Sequence, residues 1–431
     1  MAYDYEELNT PEERWNRQRQ QRERERVRQK RIHLVTAIAV GAVALLVLCV
    51  VLLRSCGESP APTQPGTIGT TQSPAETMPS EPREGQTVIH IVAGGDVNVT
   101  DTVVAAGEQE GRYDYSRLFM DIASVFANAD AAIVNFEGNL IGAPYGTENA
   151  SAPQALMEAL ERAGVDFIQM ANSYTIKNGL IGMNTTLDRI RQAGMEPLGA
   201  FTSQEEYERM QGFTIKQIGD VRVAFVAFTK GLGGLSLPSG SENRVNLLYE
   251  DYATSYQKID EEGITATLQA VAAQKPDVTI ALLHWGSEHK SIVSENQKAI
   301  RDLMLANGVD AIIGTHSHYV QSVEYDAQAG TVVAYSLGDL LGSADKADTN
   351  YSILLQLQIT KDHATGQTKI TGCEYVPTYT LTQGRDGESL RIVRLDTAIA
   401  LYENSHVDKV SAKAYESMKS AINKIKNKTG M

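Results

Sequence analysis

Two histidine-containing segments hold the residues of this chain that are best suited to chemistry. Residues 314–318 read Gly-Thr-His-Ser-His, and residues 284–288 read His-Trp-Gly-Ser-Glu. Four of the eight histidines of the chain lie between positions 284 and 318. Because imidazole is the commonest side-chain ligand for Zn, Mn or Fe, this clustering predicts a metal site.

Each segment directly follows an apolar run that predicts a buried strand, residues 278–283 and 309–313. Ligands of α/β folds bind where such strands end. A lone histidine at a strand end, such as His284, is usually a hydrogen-bonded core residue and is the weaker candidate. The pair His316 and His318 is stronger, but both imidazoles reach one pocket only if the chain turns, which Gly314 is expected to permit.

Three earlier segments also place polar side chains directly after predicted strands. Asp96 follows two glycines, Asn135 and Glu137 end an apolar run, and Asn172 follows residues 167–170. Alone, each segment is at least as well explained by a structural turn. In chain order, however, the series of carboxylates, amides and imidazoles is typical of a two-metal hydrolytic site, in which two ions share such ligands.

The elements that must position these residues begin at Thr87. Short β-rich runs alternate there with helical patterns, one of them over residues 115–127, which predicts an α/β fold with a mostly parallel sheet covered by helices on both faces. Within residues 351–376, two β-rich runs joined around Gly366 have no helix between them and predict an antiparallel hairpin. Residues 409–428 have the spacing of an amphipathic helix, which we expect to pack on the domain rather than bind a partner.

The N-terminal part differs in charge and composition from the rest. Of the 39 Lys and Arg residues ten lie in residues 1–54, against seven of the 53 Asp and Glu, which leaves 29 basic and 46 acidic residues for the remainder. Residues 34–53 are uncharged and apolar, and at about 1.5 Å per residue they span roughly 30 Å, the thickness of a bilayer core. The basic flank, residues 1–33, predicts a cytoplasmic arm, a single-pass signal anchor in the cell membrane and a large extracellular domain.

Two alternatives to an anchor fit less well. The apolar stretch is longer than that of a cleaved signal peptide, and no Ala-x-Ala site follows it. The segment ending in Cys56 loosely resembles a lipoprotein cleavage site, but Arg54 and the long basic leader argue against that interpretation. The Arg-rich segment lacks interleaved aromatic residues or a folded motif, so it predicts an orientation signal and no nucleic-acid binding. Residues 54–86, rich in Pro, Ser and Thr, predict a disordered linker.

Together the motifs resemble those of the CapA family of capsule-synthesis proteins, in an order and spacing that fit residues 88–341. The resemblance implies a calcineurin-like metallophosphoesterase fold over residues 87–400, a sandwich of two mixed β-sheets flanked by helices, with a C-terminal helical tail over residues 401–431. It also implies a membrane-anchored extracellular role in the synthesis or export of poly-γ-glutamate or a similar capsule polymer. The motifs that carry it are Gly95-Asp96, Asn135-Phe136-Glu137, Ala171-Asn172, segments 284–288 and 314–321, and Tyr335-Ser336-Leu337-Gly338.

With this resemblance, individual residues receive expected roles. Two divalent ions, Mn, Zn or Fe, would be bound by Asp96, Glu137, His284, His316 and His318. The residues that contact a substrate would be Asn135, Asn172, Trp285 and Lys177. If the protein is an enzyme, the catalytic residues would be His284, Tyr174 and Glu288.

The chain departs from the family pattern in three places. Where the family reads Ala-Asn-Asn-His, this chain has Ser173 and Tyr174; Lys177 replaces an Asp; and the segment Tyr-Ser-Leu-Gly-Asn ends here in Asp339. In related phosphoesterases the missing Asn binds a metal, and the missing His protonates the leaving group or stabilises the transition state. Loss of a general acid typically removes a factor of roughly 10² to 10⁴ in rate.

The replacements leave several roles open. Tyr174 has an ordinary pKa of about 10 and is a poor proton donor at neutral pH. Lys177 either brings positive charge toward an anionic substrate or is a solvated surface side chain. Whether Asp339 restores a lost carboxylate ligand also stays open.

Three functions fit these observations. The leading one is a metal-dependent hydrolase of phosphoesters or γ-glutamyl amides that serves capsule-polymer synthesis or export. The second is a non-catalytic polymer-binding or assembly subunit with a degenerate metal site, and the third is a secreted phosphatase or nucleotidase unrelated to capsule. For the first two we expect an anionic capsule polymer and other membrane subunits of a capsule synthase as partners. Because the domain is itself acidic, metals or a few basic side chains must attract such a polymer locally.

Overall fold

A computed structural model describes residues 84–382, 390–404 and 410–431. The predicted cytoplasmic arm, membrane span and nearly all of the predicted linker lie outside these described residues, and their assignments stay predictions. In the described ranges, no helix has the length and apolar character needed to cross a bilayer.

The described residues form strands and helices in a regular alternation through the first two thirds of the domain. The strands are β1 (Gln86–Asn98), β2 (Glu108–Gln109), β3 (Arg112–Tyr113), β4 (Ala131–Glu137), β5 (Phe167–Gln169), β6 (Glu196–Leu198), β7 (Phe213–Ile218), β8 (Val221–Thr229), β9 (Val278–His284), β10 (Ala311–Thr315), β11 (Val323–Asp326), β12 (Thr331–Ala334), β13 (Asp339–Leu341), β14 (Tyr351–Asp362), β15 (Thr368–Leu381) and β16 (Arg391–Arg394). The helices are α1 (Asp101–Gly107), α2 (Ala123–Ala127), α3 (Gln154–Ala163), α4 (Gly179–Gln192), α5 (Gln204–Met210), α6 (Glu261–Ala273), α7 (Glu295–Ala306), α8 (Leu395–Glu403) and α9 (Ala412–Thr429).

The strands form two large mixed sheets rather than one mostly parallel sheet. The first has the order β16-β15-β14-β1-β4-β5-β6, with β13 also paired to β1; the second has the order β11-β12-β10-β9-β8-β7. Each sheet contains a run of parallel strands, β1-β4-β5-β6 and β8-β9-β10-β12. Antiparallel strands extend one edge of the first sheet and both edges of the second. The carboxyl ends of the parallel strands are therefore available in both sheets for a ligand site.

The two sheets pack against each other, and helices cover the outer face of the second sheet. Side chains alternate between the two faces of a strand. Phe225 of β8 faces Phe167 of β5, with ring centroids 4.9 Å apart. Its neighbour Val226 lies in the cluster that also contains Leu268 of α6 and Ile300 of α7. Each such buried aliphatic side chain contributes about 1.5–3 kcal/mol to folding.

The predicted hairpin and C-terminal helix are both present. β14 and β15 pair antiparallel, and Gly366 takes a φ of 70° in the turn between them, where its N–H donates to the Asp362 carbonyl at 2.8 Å. Helix α9 begins after Ser411, whose side chain accepts from the Ala414 N–H. It buries Met418 and Ile425 and contacts β14 and β15, as expected for an amphipathic helix packed on the domain.

One predicted helix is mostly wrong. Residues 115–122 form consecutive turns, and only Ala123–Ala127 is helical. Tyr115, Leu118, Phe119 and Ile122 are buried, which satisfies the helical spacing, whereas Met120 is exposed. Several backbone bonds span three residues rather than four, as from the Leu118 N–H to the Tyr115 carbonyl at 3.1 Å. Burial of the same apolar positions by tight turns gives the same sequence pattern as a short helix.

Candidate metal centre

Strand register brings the polar residues of the first sheet together at one edge. Asp96 of β1 is aligned with Asn135 of β4 on one side and with Asp339 of β13 on the other. Glu137 follows two residues after Asn135, on the same face of β4. The predicted series of polar residues at strand ends is thus one spatial cluster.

The second sheet presents its histidines at the corresponding edge. His284, the last residue of β9, is aligned with Thr315 at the end of β10, and His316 follows directly. The imidazoles of His284 and His316 lie with their centroids 4.4 Å apart. The link to the first sheet is direct, because the His316 N–H donates to Oδ2 of Asp96 at 3.0 Å.

The cluster divides into two groups of three possible metal ligands. Glu137, His284 and His316 form one group, and Asp96, His318 and Asp339 form the other; in each group the ligand atoms lie within 4.8 Å of one another. All five residues predicted as metal ligands therefore belong to the centre. Asp339, whose role the sequence left open, supplies a third carboxylate.

The turn that separates the two histidines is made by the histidines themselves. His316 and His318 have φ angles of 89° and 59°, in the left-handed region that non-glycine residues rarely adopt and that commonly marks functional sites. Gly314 has an ordinary φ, contrary to the expectation that it provides the turn. Its missing side chain serves another purpose, because a Cβ there would lie 2.0 Å from the Tyr335 carbonyl oxygen.

Gly95 has the same purpose beside Asp96. A Cβ at this position would lie 1.8 Å from the carbonyl oxygen of Gly338, which accepts a hydrogen bond from the Asp96 N–H at 3.0 Å. The glycine therefore allows the backbone after Leu337 to approach β1 closely enough to bring Asp339 beside Asp96. Close backbone approach is a usual reason for glycine in a strand.

A chain of side-chain amides holds the carboxylates. Nδ2 of Asn135 donates to Oδ1 of Asp96 at 2.6 Å and to Oε1 of Glu137 at 3.2 Å. Its own Oδ1 accepts from Nδ2 of Asn172 at 3.0 Å. Asn98 similarly donates from Nδ2 to Oδ1 of Asp339 at 2.9 Å. Such partners orient ligating carboxylates and are required almost as strongly as the ligands.

His284 is held from both ring nitrogens. Its Nε2 lies 3.1 Å from Oγ of Ser173, and its Nδ1 lies 3.3 Å from Oγ1 of Thr315 and 3.5 Å from Oε1 of Glu137. Because burial lowers the pKa of His284 well below its usual value, with the charges of His316 and His318 acting in the same direction, the ring is neutral. A neutral imidazole is the form that binds a metal.

Burial raises the pKa of the carboxylates, and His318 is the side chain whose positive charge opposes that effect. Burial raises the pKa of Asp96 to about 6, an effect that the negative charge of Asp339 reinforces and that His318 opposes. Burial and the charge of Asp96 raise the pKa of Glu137 well above its ordinary value. In the described part of the chain no Lys or Arg forms a salt bridge with either residue. Three buried carboxylates with one cationic imidazole among them are costly unless they bind a further cation, such as a metal.

His318 takes a different protonation state from the other two histidines. Burial disfavours its charged form, but the hydrogen bond with Asp339, together with the charges of Asp339, Glu137 and Asp96, raises the pKa to about 10. Its Nδ1 lies 2.8 Å from Oδ1 of Asp339. The carboxylates thus attract a positive charge into the centre, which a proton on His318 supplies in this structure.

The residues fit a pair of divalent ions. Carboxylate and imidazole ligands together suit Zn, Mn or Fe. Glu137, His284 and His316 could hold one ion, and Asp96, His318 and Asp339 could hold the second. Three carboxylates and three imidazoles are buried close together and are held by amides on their outer side. Because apolar residues could occupy these positions instead, metal binding is the simplest explanation of their burial.

A cavity of about 610 Å³ opens onto the centre at His316. Predicted site residues Tyr174, Lys177 and Glu288 line it, together with Ser173, Lys230, Leu232, Gly233, Leu235, Tyr256 and Ser287. A molecule bound in the cavity would therefore contact both the first ligand group and several ionisable side chains. Its size is sufficient for part of a polymer or a small substrate.

The other residues predicted to contact substrate lie beneath the cavity. Asn135 and Asn172 are buried; Asn135 donates to the carboxylates, and Asn172 donates to Asn135. Trp285 is buried in the core of the second sheet, where its Nε1 donates to the Tyr335 carbonyl at 2.8 Å. These three residues position the centre, and any direct contact with a substrate stays a prediction.

Sequence reasoning missed Lys230, His289 and Asn98 as parts of the site. Lys230 directly follows the apolar strand β8, which is the same signal that identified His284 after β9. His289 was visible as the fourth histidine of the 284–318 window, and its ring lies 5.1 Å from that of His318. Asn98 lies two residues after Asp96, in the same segment.

Known proteins resemble this chain in sequence. The chain is 24% identical over 293 residues to the PGA biosynthesis protein CapA of Bacillus subtilis, covering 64% of this chain and 69% of that protein. It is 23% identical over 266 residues to the capsule biosynthesis protein CapA of Bacillus anthracis, covering 59% of this chain and 60% of that protein, which is less than two thirds. The calcineurin-like phosphoesterase YfkN from Bacillus subtilis aligns with a TM-score of 0.42 at 15% identity, over 78% of this chain and 99% of that one.

The family assignment rests on the segment that contains the centre. Residues 90–344, more than half of the chain, match the family described as "Bacterial capsule synthesis protein PGA_cap". This segment includes every residue of both ligand groups and every residue that lines the cavity. The chain belongs to this family of bacterial capsule synthesis proteins.

Proposed function

We propose that this protein is a membrane-anchored, extracellular member of the capsule machinery that handles an anionic polymer, poly-γ-glutamate or a similar one, at a two-metal centre. The observation that carries the proposal is the position of His316, which belongs to a ligand group and also lines the cavity. A polymer segment in the cavity would therefore lie against the centre. Other membrane subunits of a capsule synthase would deliver or receive the polymer.

The chemistry proposed for the centre is hydrolysis of an amide or a phosphoester. Glu137, His284 and His316 would hold one divalent ion and Asp96, His318 and Asp339 the other; bound ions of this kind stabilise negative charge that develops during hydrolysis. The Asn135 amide fixes the Asp96 and Glu137 oxygens. Ser173 orients the His284 ring through Nε2.

The test is metal analysis and turnover of the full chain, purified in detergent. We expect about two equivalents of Mn, Zn or Fe per chain, and metal-dependent cleavage of a γ-linked glutamate oligomer or a phosphomonoester. A protein that binds none of these metals would contradict the proposal. Protease treatment of intact cells tests the location, since an extracellular domain is digested while a cytoplasmic one is protected.

A second candidate, a non-catalytic polymer-binding subunit, is favoured by the environment of Tyr174. Burial and the negative charges of Glu137 and Glu288 raise the pKa of Tyr174 to about 12, so its hydroxyl is a weak acid where the family pattern has a histidine. Full metal occupancy with polymer binding but without turnover would select this candidate. If this candidate is correct, Tyr174→His is expected to raise the turnover of a phosphomonoester at least about tenfold above that of the unmodified chain. The reason is that general acids contribute factors of about 10²–10⁴ in rate.

A further inference from the structure

Lys230 occupies a defined position between the second sheet and the cavity. It directly follows β8, and its backbone N–H donates to the carbonyl of His284 at 2.8 Å. Its ammonium group donates to the carbonyl of Gly286 at 2.7 Å. Both contacts are to the segment that carries the His284 ligand, so the lysine is fixed relative to the metal centre.

An aromatic ring fixes the same ammonium from another side. Nζ of Lys230 lies 4.3 Å from the centroid of Tyr256, within the range of a cation–π interaction. The ring packs against Tyr249 at 6.0 Å between centroids. Gly231 leaves the necessary space, because a Cβ there would lie 2.7 Å from Cε1 of Tyr256.

Burial lowers the pKa of Lys230, and the negative charge of Glu288 opposes this effect. Among the residues that the structure describes, no carboxylate forms a salt bridge with it. An ammonium group has three donors and no acceptor, and one donor is used by Gly286. The residue is about half-buried and lines the cavity that also contains Ser173 and His316, so an unpaired positive charge is presented next to the first ligand group.

This local charge contrasts with the chain as a whole. The formal net charge is −14, so an anionic substrate is repelled at long range. The cavity lining has two lysines, Lys177 and Lys230, against one acidic residue, Glu288. Of the two lysines, Lys177 is exposed and Lys230 is the one held by fixed contacts.

We propose that Lys230 binds an oxyanion of the substrate, a carboxylate or a phosphate, and holds the neighbouring bond against the metal centre. The inference rests on the proposed function, since it names the group that positions the substrate of that site. A preorganised charged donor of this kind gives more affinity than a mobile surface lysine, because little side-chain freedom is lost on binding.

The test compares Lys230→Gln with Lys290→Gln in the full, metal-loaded chain. Lys290 is an exposed lysine of the loop after Glu288 and does not line the cavity. The probes are a γ-linked glutamate oligomer, its neutral methyl ester and inorganic phosphate, with binding measured by calorimetry at low salt. Loss of a hydrogen bond to a charged group predicts roughly tenfold to hundredfold weaker binding of the anionic probe for Lys230→Gln, and no change for Lys290→Gln.

The outcomes separate this inference from the proposed function. Weaker binding of the oligomer alone identifies a carboxylate, and weaker binding of phosphate alone identifies a phosphate group. The methyl ester is expected to bind equally to both variants. If Lys230→Gln binds both anions as the unmodified chain does, or if the unmodified chain binds neither, the inference is overturned. Metal content, measured in the same samples, reports separately on the metal centre.

Discussion

The floor and the wall of the cavity are built in different ways. The floor is the metal centre that the cavity reaches at His316; it is buried or nearly so and lies at or just after strand ends. It consists of Asp96, Asn135, Glu137, Asn172, His284, His316, His318 and Asp339. Hydrogen bonds with neighbours hold the side chains other than that of His316, whose backbone N–H donates to Asp96. The wall is partly exposed and lies on the loops that follow those strands; it consists of Ser173, Tyr174, Lys177, Lys230, Tyr256 and Glu288.

The departures from the CapA pattern are distributed unequally between these regions. Ser173, Tyr174 and Lys177 all belong to the wall, whereas the single departure in the floor, Asp339, is again an oxygen-bearing side chain placed beside Asp96. The floor thus keeps side chains that could hold ions, whereas the wall differs from the family pattern in its proton donor and in its charge. Binding residues on loops vary more readily because few other contacts depend on them.

The largest effect is expected for Gly95→Ala in the floor. The added Cβ would meet the Gly338 carbonyl oxygen at 1.8 Å, and two paired backbones cannot both move without loss of register. We expect the free energy of unfolding to fall by more than about 4 kcal/mol, or folding to fail, as measured by urea denaturation. Gly372→Ala is the control, since the nearest atom to its added Cβ would be Cβ of Gln358 at 3.1 Å, a much smaller overlap. Equal urea midpoints for the two variants would contradict the close backbone approach described at Gly95.

The second prediction concerns metal affinity. Asp96→Asn removes a candidate ligand from the floor. Loss of a residue that only orients a ligand lowers metal affinity by about 10- to 100-fold. We therefore expect loss of the ligand itself to lower the affinity for Mn or Zn by more than about a hundredfold. The metal-free protein is expected to keep its fold, because the substitution removes a charge that burial disfavours. Glu288→Gln, a wall substitution, should leave the metal content unchanged. Competition with a chelator measures the metal affinity of both variants. Similar losses of affinity in the two variants would contradict the difference between floor and wall.

The third prediction concerns pH. Because burial raises the pKa of Asp96 from 3.8 to about 6 in the folded protein, the native metal-free protein binds a proton more tightly than the unfolded chain. This group therefore favours folding below about pH 4, and its contribution is lost as the pH rises to about 6. Metal ions bind the deprotonated ligands, so the metal-induced rise in Tm should increase over the same interval. Parallel Tm curves with and without chelator would exclude this behaviour.

The smallest effect is expected where wall and floor meet. Ser173→Ala removes the hydroxyl that lies 3.1 Å from Nε2 of His284. We expect a loss of about 1 kcal/mol in the free energy of unfolding of the metal-free protein, with metal content unchanged. A large loss of metal would instead place Ser173 in the floor.

Much of the organisation could be predicted from local pattern. The alternation of strands and helices, the hairpin around Gly366 and the amphipathic C-terminal helix all follow from periodicity, which depends only on neighbouring residues. The helix expected over residues 115–127 shows the limit, because only residues 123–127 are helical and turns bury apolar side chains of the rest. Two mixed sheets rather than one were expected only through the family resemblance, since strand pairing is a long-range property.

By itself, the sequence determined which side chains are present to bind metal: the five expected ligands all lie in the centre. Only the tertiary structure decided how they divide into two groups, that Asp339 joins Asp96, and that Trp285 lies in the core. It also placed Lys230 on the cavity wall beside residues distant in sequence. The physical reason is that ligand type depends on the residue alone, whereas grouping and exposure depend on strand register and on backbone approaches such as that of Gly338 to Gly95.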